Sequence, residues 1–422
     1  MHIVREDGPP SAARLISGTA LPTAGQRLSL TKLLTVAAGS VLLTVSILGG
    51  GGRGGLGDLL AQLLAVGLLA YLCGLGLADR LTWRAPLWVR WLPVLAMALP
   101  LLQLVPIPLG VWGWGSARTE LAAQLAVVGV NPIHSISLNP TATERALLSL
   151  LPAIALFLAT LTLPRKGQQV FLLLIILLAV ASVFFGMAQL SEGTESHLRL
   201  YRPTNADQAV GFFANRNHLA CLLAMALPLT IAGTAWAATE RMAGRRISPL
   251  WILIGFGLLV LLILGIALTR SRAGLLLAMV SVLGSLPIVI SLRQQRGTKR
   301  VLAVILVVAI MLSAQFGMFG LLKRMESDPL DDGRWKYASV TKEAAEAYSP
   351  LGSGLGTFIQ AYEPFEAKGN PTRAIVNHAH NDYVELWLEG GWPALVLMAI
   401  GAAIWLRRGV QLWRYRPESG TT

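Results

Sequence analysis

The stretch from Asn377 to Glu385 concentrates side chains that can transfer protons. It reads NHAHNDYVE, so two histidines, an aspartate and a glutamate stand directly before a long apolar run. A neutral imidazole, with an ordinary pKa of about 6.5, can take a proton from a hydroxyl group at neutral pH. We therefore predict that His380 acts as a general base and that Asp382 or Glu385 orients its ring.

Two other roles are open to the same stretch. Asn381 or Asp382 could cap the following helix, with Glu385 in the first turn opposing the helix dipole. In an extended strand, His378, His380 and Asp382 would share one face and could hold a metal ion, but no nearby cysteine or helical histidine pair supports this. We assign no metal. The supporting residues of the predicted site are His378, Asn381, Tyr383 and Glu385.

Arginines in three other stretches are candidates for binding an anion. Arg216 lies near the outer end of an apolar run, and Arg270 and Arg272 lie in the connection LTRSRAG. A charge at membrane depth costs about 2.5–3.5 kcal/mol, and the guanidinium group matches the geometry of phosphate oxygens. The alternatives are snorkelling to headgroups, chiefly for Arg270 but also for Arg216 and Arg272, and an exposed ion pair for Arg334. The predicted diphosphate-binding residues are Arg216, Arg270, Arg272 and Arg334, supported by Asn215 and His218.

Composition indicates the scaffold that must position these groups. Of the 422 residues, 54% are hydrophobic and 14% are charged, whereas a soluble domain carries about 25% charge. The net charge of +13 falls mainly beside apolar runs, which indicates membrane orientation rather than nucleic acid binding. Cys73 and Cys221 lie inside apolar runs and predict no disulfide framework.

Apolar runs of about 20 residues, each long enough to cross a bilayer, recur along the chain. We predict an all-α polytopic membrane protein with about ten transmembrane helices and a large periplasmic loop before the last helix. The predicted helix cores are Leu33–Leu48, Leu56–Ala78, Trp91–Val105, Ala146–Leu163, Val170–Leu190, Phe212–Ala237, Leu250–Leu268, Leu275–Leu292, Val301–Phe319 and Leu386–Leu406.

Lysine and arginine in the short connections predict the orientation. With the N-terminus in the cytoplasm, every cytoplasmic connection carries basic residues. We predict a cytoplasmic tail over residues 1–32, one membrane domain over 33–406 and a cytoplasmic C-terminal tail over 407–422. The membrane domain includes the outer loop 321–385, in which residues 334–348 look helical. A loop of this length is usually functional.

Several stretches together resemble the O-antigen ligase and polymerase superfamily of bacterial envelope polysaccharide enzymes. The pattern SISLNP at residues 135–140 is also similar. His380 and Gly391 have the histidine–glycine spacing noted in the ligases, whereas the ligases' Arg-x-x-x-Leu pattern has no match in the outer loop and is met instead by Arg272 and Leu276. The stretches that carry the resemblance are Gly211–Ala220, Thr269–Gly274, Pro350–Phe358 and His378–Pro393.

The resemblance implies a GT-C-like glycosyltransferase of the bacterial inner membrane, with both termini cytoplasmic and no metal or other cofactor. Its donor would be a glycan on undecaprenyl diphosphate, and its acceptor a growing glycan or lipid A-core. Membrane lipids would surround it, and nucleic acid would not be a partner. By motif, His380 would be catalytic and Arg216 and Arg272 would bind the diphosphate.

Two alternatives stay open at this point. The missing arginine pattern in the outer loop favours a polymerase over a ligase. A lipid-linked glycan transporter or flippase would instead place polar residues at the membrane midplane, whereas the polar groups of this sequence cluster near the outer ends of the apolar runs.

Overall fold

The computed structural model of the protein describes residues 24–48, 55–83, 85–107, 112–129, 134–202, 207–285, 310, 314, 333–366 and 375–414. Two short strands pair antiparallel, with Pro106 opposite Ser135. The elements are α1 (Ala24–Leu48), α2 (Leu56–Leu77), α3 (Leu87–Leu104), β1 (Pro106–Ile107), α4 (Ser116–Val127), β2 (His134–Ser135), α5 (Pro140–Thr162), α6 (Arg165–Glu192), α7 (Arg216–Met242), α8 (Pro249–Thr269), α9 (Arg272–Gly284), α10 (Gly333–Ala347), α11 (Phe358–Tyr362), a 3-10 turn (Glu363–Phe365) and α12 (Asp382–Arg414).

Seven of the described helices are long and apolar enough to cross a membrane: α2, α3, α5, α6, α7, α8 and α12. Shorter apolar helices cover Lys32–Leu48 and Arg272–Gly284. The protein is therefore an all-α polytopic membrane protein, as predicted. The predicted core Val301–Phe319, apart from two isolated positions, and the second half of Leu275–Leu292 lie outside the described residues.

Asparagine caps move two helix starts away from their predicted positions. Helix α5 begins at Pro140 rather than at Ala146, because Asn139 Oδ1 accepts a hydrogen bond from Ala142 N at 3.1 Å. Helix α7 begins at Arg216 rather than at Phe212, and the side chain of Asn215 caps it in the same way. Apolar character alone places a helix, whereas capping side chains determine where it begins.

Small residues let α7 and α9 pack closely, since a Cβ at Gly274 would lie 2.3 Å from that of Ala220. Leu219, Leu223 and Leu227 of α7 are buried in one core with side chains of α6, α8 and α9. Ala65 and Ala159 are buried in a second core between α1, α2 and α5. Close backbone approach of this kind is typical of helices packed within a membrane.

Helix α12 is broken at Gly391, where φ is 63° and ψ is −159°, a conformation open essentially to glycine alone. Pro393 has no N–H, so the carbonyl of Glu389 loses its helical donor. Trp392 N donates to Pro350 O at 2.9 Å. The carbonyl of Leu388 is therefore also left without its usual helical partner.

The loop of residues 350–357 replaces the lost donors. Ser353 N donates to Leu388 O at 2.8 Å. Gly354 N donates to Glu389 O at 2.9 Å. We call this segment the glycine loop, because Gly352, Gly354 and Gly356 all have positive φ values and allow the close backbone approach. Leaving either buried carbonyl unpaired would cost about 1–3 kcal/mol.

Gln103, near the end of α3, joins the glycine loop to the broken helix. Its Nε2 donates to Glu389 O at 2.8 Å, and its Oε1 accepts from Leu355 N at 3.0 Å. Leu138 N, just before α5, donates to Ser353 O at 2.8 Å. The starts of α5 and α12 and the end of α3 therefore lie at one end of the helix bundle.

Replacing Gly391 with alanine should destabilise the protein. A Cβ at this position would lie 2.2 Å from Pro350 O, and the positive φ is strained for any L side chain. We expect a loss of about 1–3 kcal/mol, measured as a lower unfolding midpoint of the purified protein. Gly401→Ala in the same helix meets open space and should leave the midpoint unchanged or raise it. Equal midpoints for the two variants would contradict the proposed role of the break.

Candidate active site

The first polar group, here called the histidine group, comprises residues 378–385. It lies where the chain enters α12. Asn381 caps this helix: its Oδ1 accepts from Tyr383 N at 3.2 Å and from Val384 N at 3.4 Å. His380, the residue before the cap, has a φ of 53°. Residues 378–382 are therefore not the extended strand on which the metal alternative depended.

Glu385 ties the approach segment to the first turn of α12. Its Oε1 lies 2.7 Å from His378 Nδ1, and its Oε2 accepts from Ala379 N at 2.9 Å. Both carboxylate oxygens thus engage the segment before His380. The sequence predicted that Glu385 or Asp382 orients His380; the structure pairs Glu385 with His378 and leaves the side chain of Asp382 exposed in the first turn.

His380 presents an exposed imidazole beside one aromatic side chain of the large loop. Its ring centroid lies 6.0 Å from that of Tyr337 on α10.

The second polar group, here called the arginine group, comprises Arg216, Arg270 and Arg272. It lies where α7 begins and α8 meets α9. Arg216 is buried, and its Nη1 donates to the side-chain oxygen of Gln208, which is also buried. Ser271 Oγ donates to Asn217 Oδ1 at 2.7 Å. These contacts bring the start of α7 and the α8–α9 connection together.

Two exposed arginines flank that connection. Arg270 has a φ of 48° and lies 3.8 Å from Asp207 in an exposed ion pair. Arg272 is the first residue of α9 and is exposed. His218, in the first turn of α7, is exposed, and its ring is nearly perpendicular to that of Phe213. Three guanidinium groups thus share this end of the bundle, and Asp207 balances one of them.

Arg334 is the remaining predicted anion contact. Helix α10 covers Gly333–Ala347, which agrees with the predicted helical stretch 334–348. The side chain of Arg334 lies outside the described side chains, so its role stays a prediction.

Both groups lie at the same end of the helix bundle. Helix α5 begins beside the glycine loop, close to the start of α12. It ends at the opposite end of the bundle, and α6 returns from there to the connection before α7. The histidine group at α12 and the arginine group at α7 therefore lie at the same end.

Arg118 is a fully buried residue that the sequence did not single out. Its Nη2 donates to Gly352 O at 2.6 Å and to Ile136 O. Its guanidinium carbon lies 5.2 Å from the ring centroid of Trp112 and 5.9 Å from that of Tyr348. Desolvation lowers the pKa of Arg118 to about 10, so it remains charged at neutral pH. It fastens the glycine loop to the segment before α5.

Glu389 is a second residue whose role the sequence did not reveal. It is buried, and its Oε1 accepts from Phe358 N at 2.8 Å, which holds the start of α11 against α12. The only sequence signal was the cost of burying a carboxylate in an apolar run. Among the residues that the structure describes, no group of three or more His, Cys, Asp and Glu side chains is placed to hold a metal ion.

Replacing Arg118 with methionine should destabilise the glycine loop. The carbonyls of Gly352 and Ile136 would lose a buried donor, at about 1–3 kcal/mol each. Thermal unfolding should show a lower midpoint than for Arg246→Met, a control that removes an exposed arginine. If both variants unfold at the wild-type midpoint, Arg118 does not hold the loop.

Comparison with known proteins gives one family match. Residues 257–399 match the family described as O-antigen ligase. The match, about a third of the chain, begins within α8 and includes Arg270, Arg272, the glycine loop and His380. No curated protein and no solved structure is significantly similar to the chain. Over residues 257–399, the resemblance to the O-antigen ligase superfamily that the motifs indicated is therefore confirmed.

Proposed function

We propose that the protein transfers a glycan from an undecaprenyl-diphosphate donor to a hydroxyl acceptor at the periplasmic face of a bacterial inner membrane. The family match supports glycan transfer of the O-antigen ligase and polymerase type. The observation that supports the finer proposal is an exposed imidazole, His380, at the same end of the helix bundle as three arginines.

The proposed reaction needs one base and one anion site. The acceptor oxygen forms a bond to the anomeric carbon while the bond from that carbon to the diphosphate oxygen breaks. Undecaprenyl diphosphate leaves with the bonding electron pair, and His380 takes the hydroxyl proton. Attack in line with the leaving group inverts the anomeric centre.

The arginine group is suited to hold the departing diphosphate. Arg216 is fixed by its bond to Gln208, so its charge needs little reorganisation when the leaving group becomes more negative. Preorganised charge of this kind is often the largest catalytic contribution. Arg270 and Arg272 are exposed at the same end of the helix bundle. There, the planar guanidinium groups can pair with phosphate oxygens. No step of this scheme requires a metal ion.

The acceptor is proposed to be the end of a growing glycan. The outer loop lacks the ligases' Arg-x-x-x-Leu pattern at Arg324, Arg334 and Arg373, which favours a polymerase. A reconstituted assay separates the outcomes by product. Lengthened lipid-linked chains support the polymerase, and transfer to added lipid A-core supports the ligase. Movement of the donor across vesicles with no new glycosidic bond would contradict enzymatic transfer.

His380→Ala should abolish most of the activity. Loss of a general base typically lowers a rate by about 10²–10⁴-fold. The measurement is single-turnover transfer from a lipid-linked oligosaccharide by the purified, reconstituted protein. His197→Ala removes another exposed histidine, in the connection between α6 and α7, and should retain the wild-type rate. Full activity of His380→Ala would overturn the assignment.

Arg272→Gln should slow transfer by on the order of 10²-fold, because one donor to the leaving group is lost. The loss should be smaller for donors that carry a more acidic leaving group, which needs less stabilisation. Arg202→Gln, an exposed arginine before α7, serves as the matched control. An equal effect of both variants would argue that only bulk charge matters.

A further inference from the structure

Gln208, in the connection between α6 and α7, contacts the arginine group from inside the protein. It is buried, and its side-chain oxygen accepts a hydrogen bond from Arg216 Nη1. Because arginine has donors only, the oxygen of the amide must face Arg216 and the amide nitrogen must point elsewhere. Gln208 Nε2 donates to Asp207 Oδ2 at 3.3 Å, and the same carboxylate oxygen lies 3.8 Å from Arg270 Nη1. The amide is therefore held in one orientation, between a cation and a carboxylate.

The backbone that carries Gln208 is itself fixed to two helices. Gln189 of α6 is buried, and its Oε1 accepts from Gly211 N at 3.1 Å while its Nε2 donates to Gly211 O at 2.8 Å. Ala209 N donates to Leu268 O of α8 at 3.4 Å. The side-chain oxygen of Gln208 thus has a fixed position before any ligand binds.

The charge of this acceptor affects what Arg216 can do. A carboxylate in place of the amide could accept the same hydrogen bond, but its negative charge would offset that of the guanidinium group. Buried charges are screened less than exposed charges, so the offset would extend to an anion bound at the adjacent surface. The amide of Gln208 orients the guanidinium group and adds no negative charge beside it.

We propose that Gln208 is a positioning residue of the diphosphate site and that diphosphate binding depends on its neutrality. Its amide holds Arg216 in one orientation, and the positive charge of that guanidinium group acts on a diphosphate bound at Arg270 and Arg272. An oriented charge needs little reorganisation when the anion arrives. This assignment rests on the proposed function, which supplies the diphosphate.

Equilibrium binding of farnesyl diphosphate to the purified full-length protein in detergent tests the assignment, with farnesol as the probe that lacks the diphosphate. Wild-type protein should bind farnesyl diphosphate more tightly than farnesol. Gln208→Glu keeps the length of the side chain and an acceptor oxygen, and should weaken farnesyl diphosphate binding by about tenfold or more because it adds a negative charge beside Arg216. Gln124→Glu adds the same charge at an exposed position of α4 and should bind like wild type.

A second variant separates the orientation of Arg216 from its charge. Gln208→Met removes the acceptor, adds no charge and changes the side-chain volume little. Its affinity for farnesyl diphosphate should lie between those of the wild-type protein and Gln208→Glu. A role in stability alone predicts the reverse order, because Gln208→Glu keeps an acceptor for Arg216 and Gln208→Met does not. Thermal unfolding midpoints of the variants show which order stability follows.

Three results would overturn the proposal. Wild-type affinity of Gln208→Glu would mean that neutrality is not required, and weaker binding by Gln208→Met than by Gln208→Glu would mean that only the hydrogen bond matters. Equal affinity of the wild-type protein for farnesyl diphosphate and farnesol would remove the diphosphate site itself. The assay needs no turnover, so the expected order of affinities in a protein that transfers no glycan would contradict the proposed function and leave the role of Gln208 intact.

Discussion

The break in α12 is the constraint from which the arrangement of the outer segments follows. A helix that crosses a membrane must satisfy its peptide groups internally, and Gly391 and Pro393 prevent this at two carbonyls. Backbone amides of the glycine loop and the side chain of Gln103 donate hydrogen bonds to these carbonyls instead. An apolar helix can therefore be interrupted where protein, rather than lipid, surrounds it.

These replacement hydrogen bonds hold the glycine loop against α12, next to the histidine group. Once the glycine loop is bound to α12, it receives Arg118 from α4 and the segment before α5. The loop also sets the start of α11, through the carboxylate of Glu389. His380 lies directly before α12. The segment that carries the proposed general base is therefore attached, through α12 and the glycine loop, to α3, α4 and α5.

Local signals in the sequence predicted much of this. Apolar runs indicated the spanning helices, and Asn381 before the last apolar run indicated the cap of α12. Contacts between distant segments were not readable. The pairing of Glu385 with His378 depends on the left-handed backbone at His380, and the burial of Arg118 depends on a loop more than two hundred residues away. Neither of these two contacts produces a periodic or compositional pattern in the sequence.

Four of the hydrogen bonds that attach the glycine loop to α12 and to the segment before α5 join main-chain atoms at both ends. These four bonds do not depend on the side chains of the loop itself, provided that the glycines are kept, and Arg118 and Gln103 add side-chain bonds from outside the loop. Other side chains of the loop can then vary without breaking these main-chain hydrogen bonds. A loop attached through its main chain can therefore carry different side chains on its surface while its backbone framework stays the same.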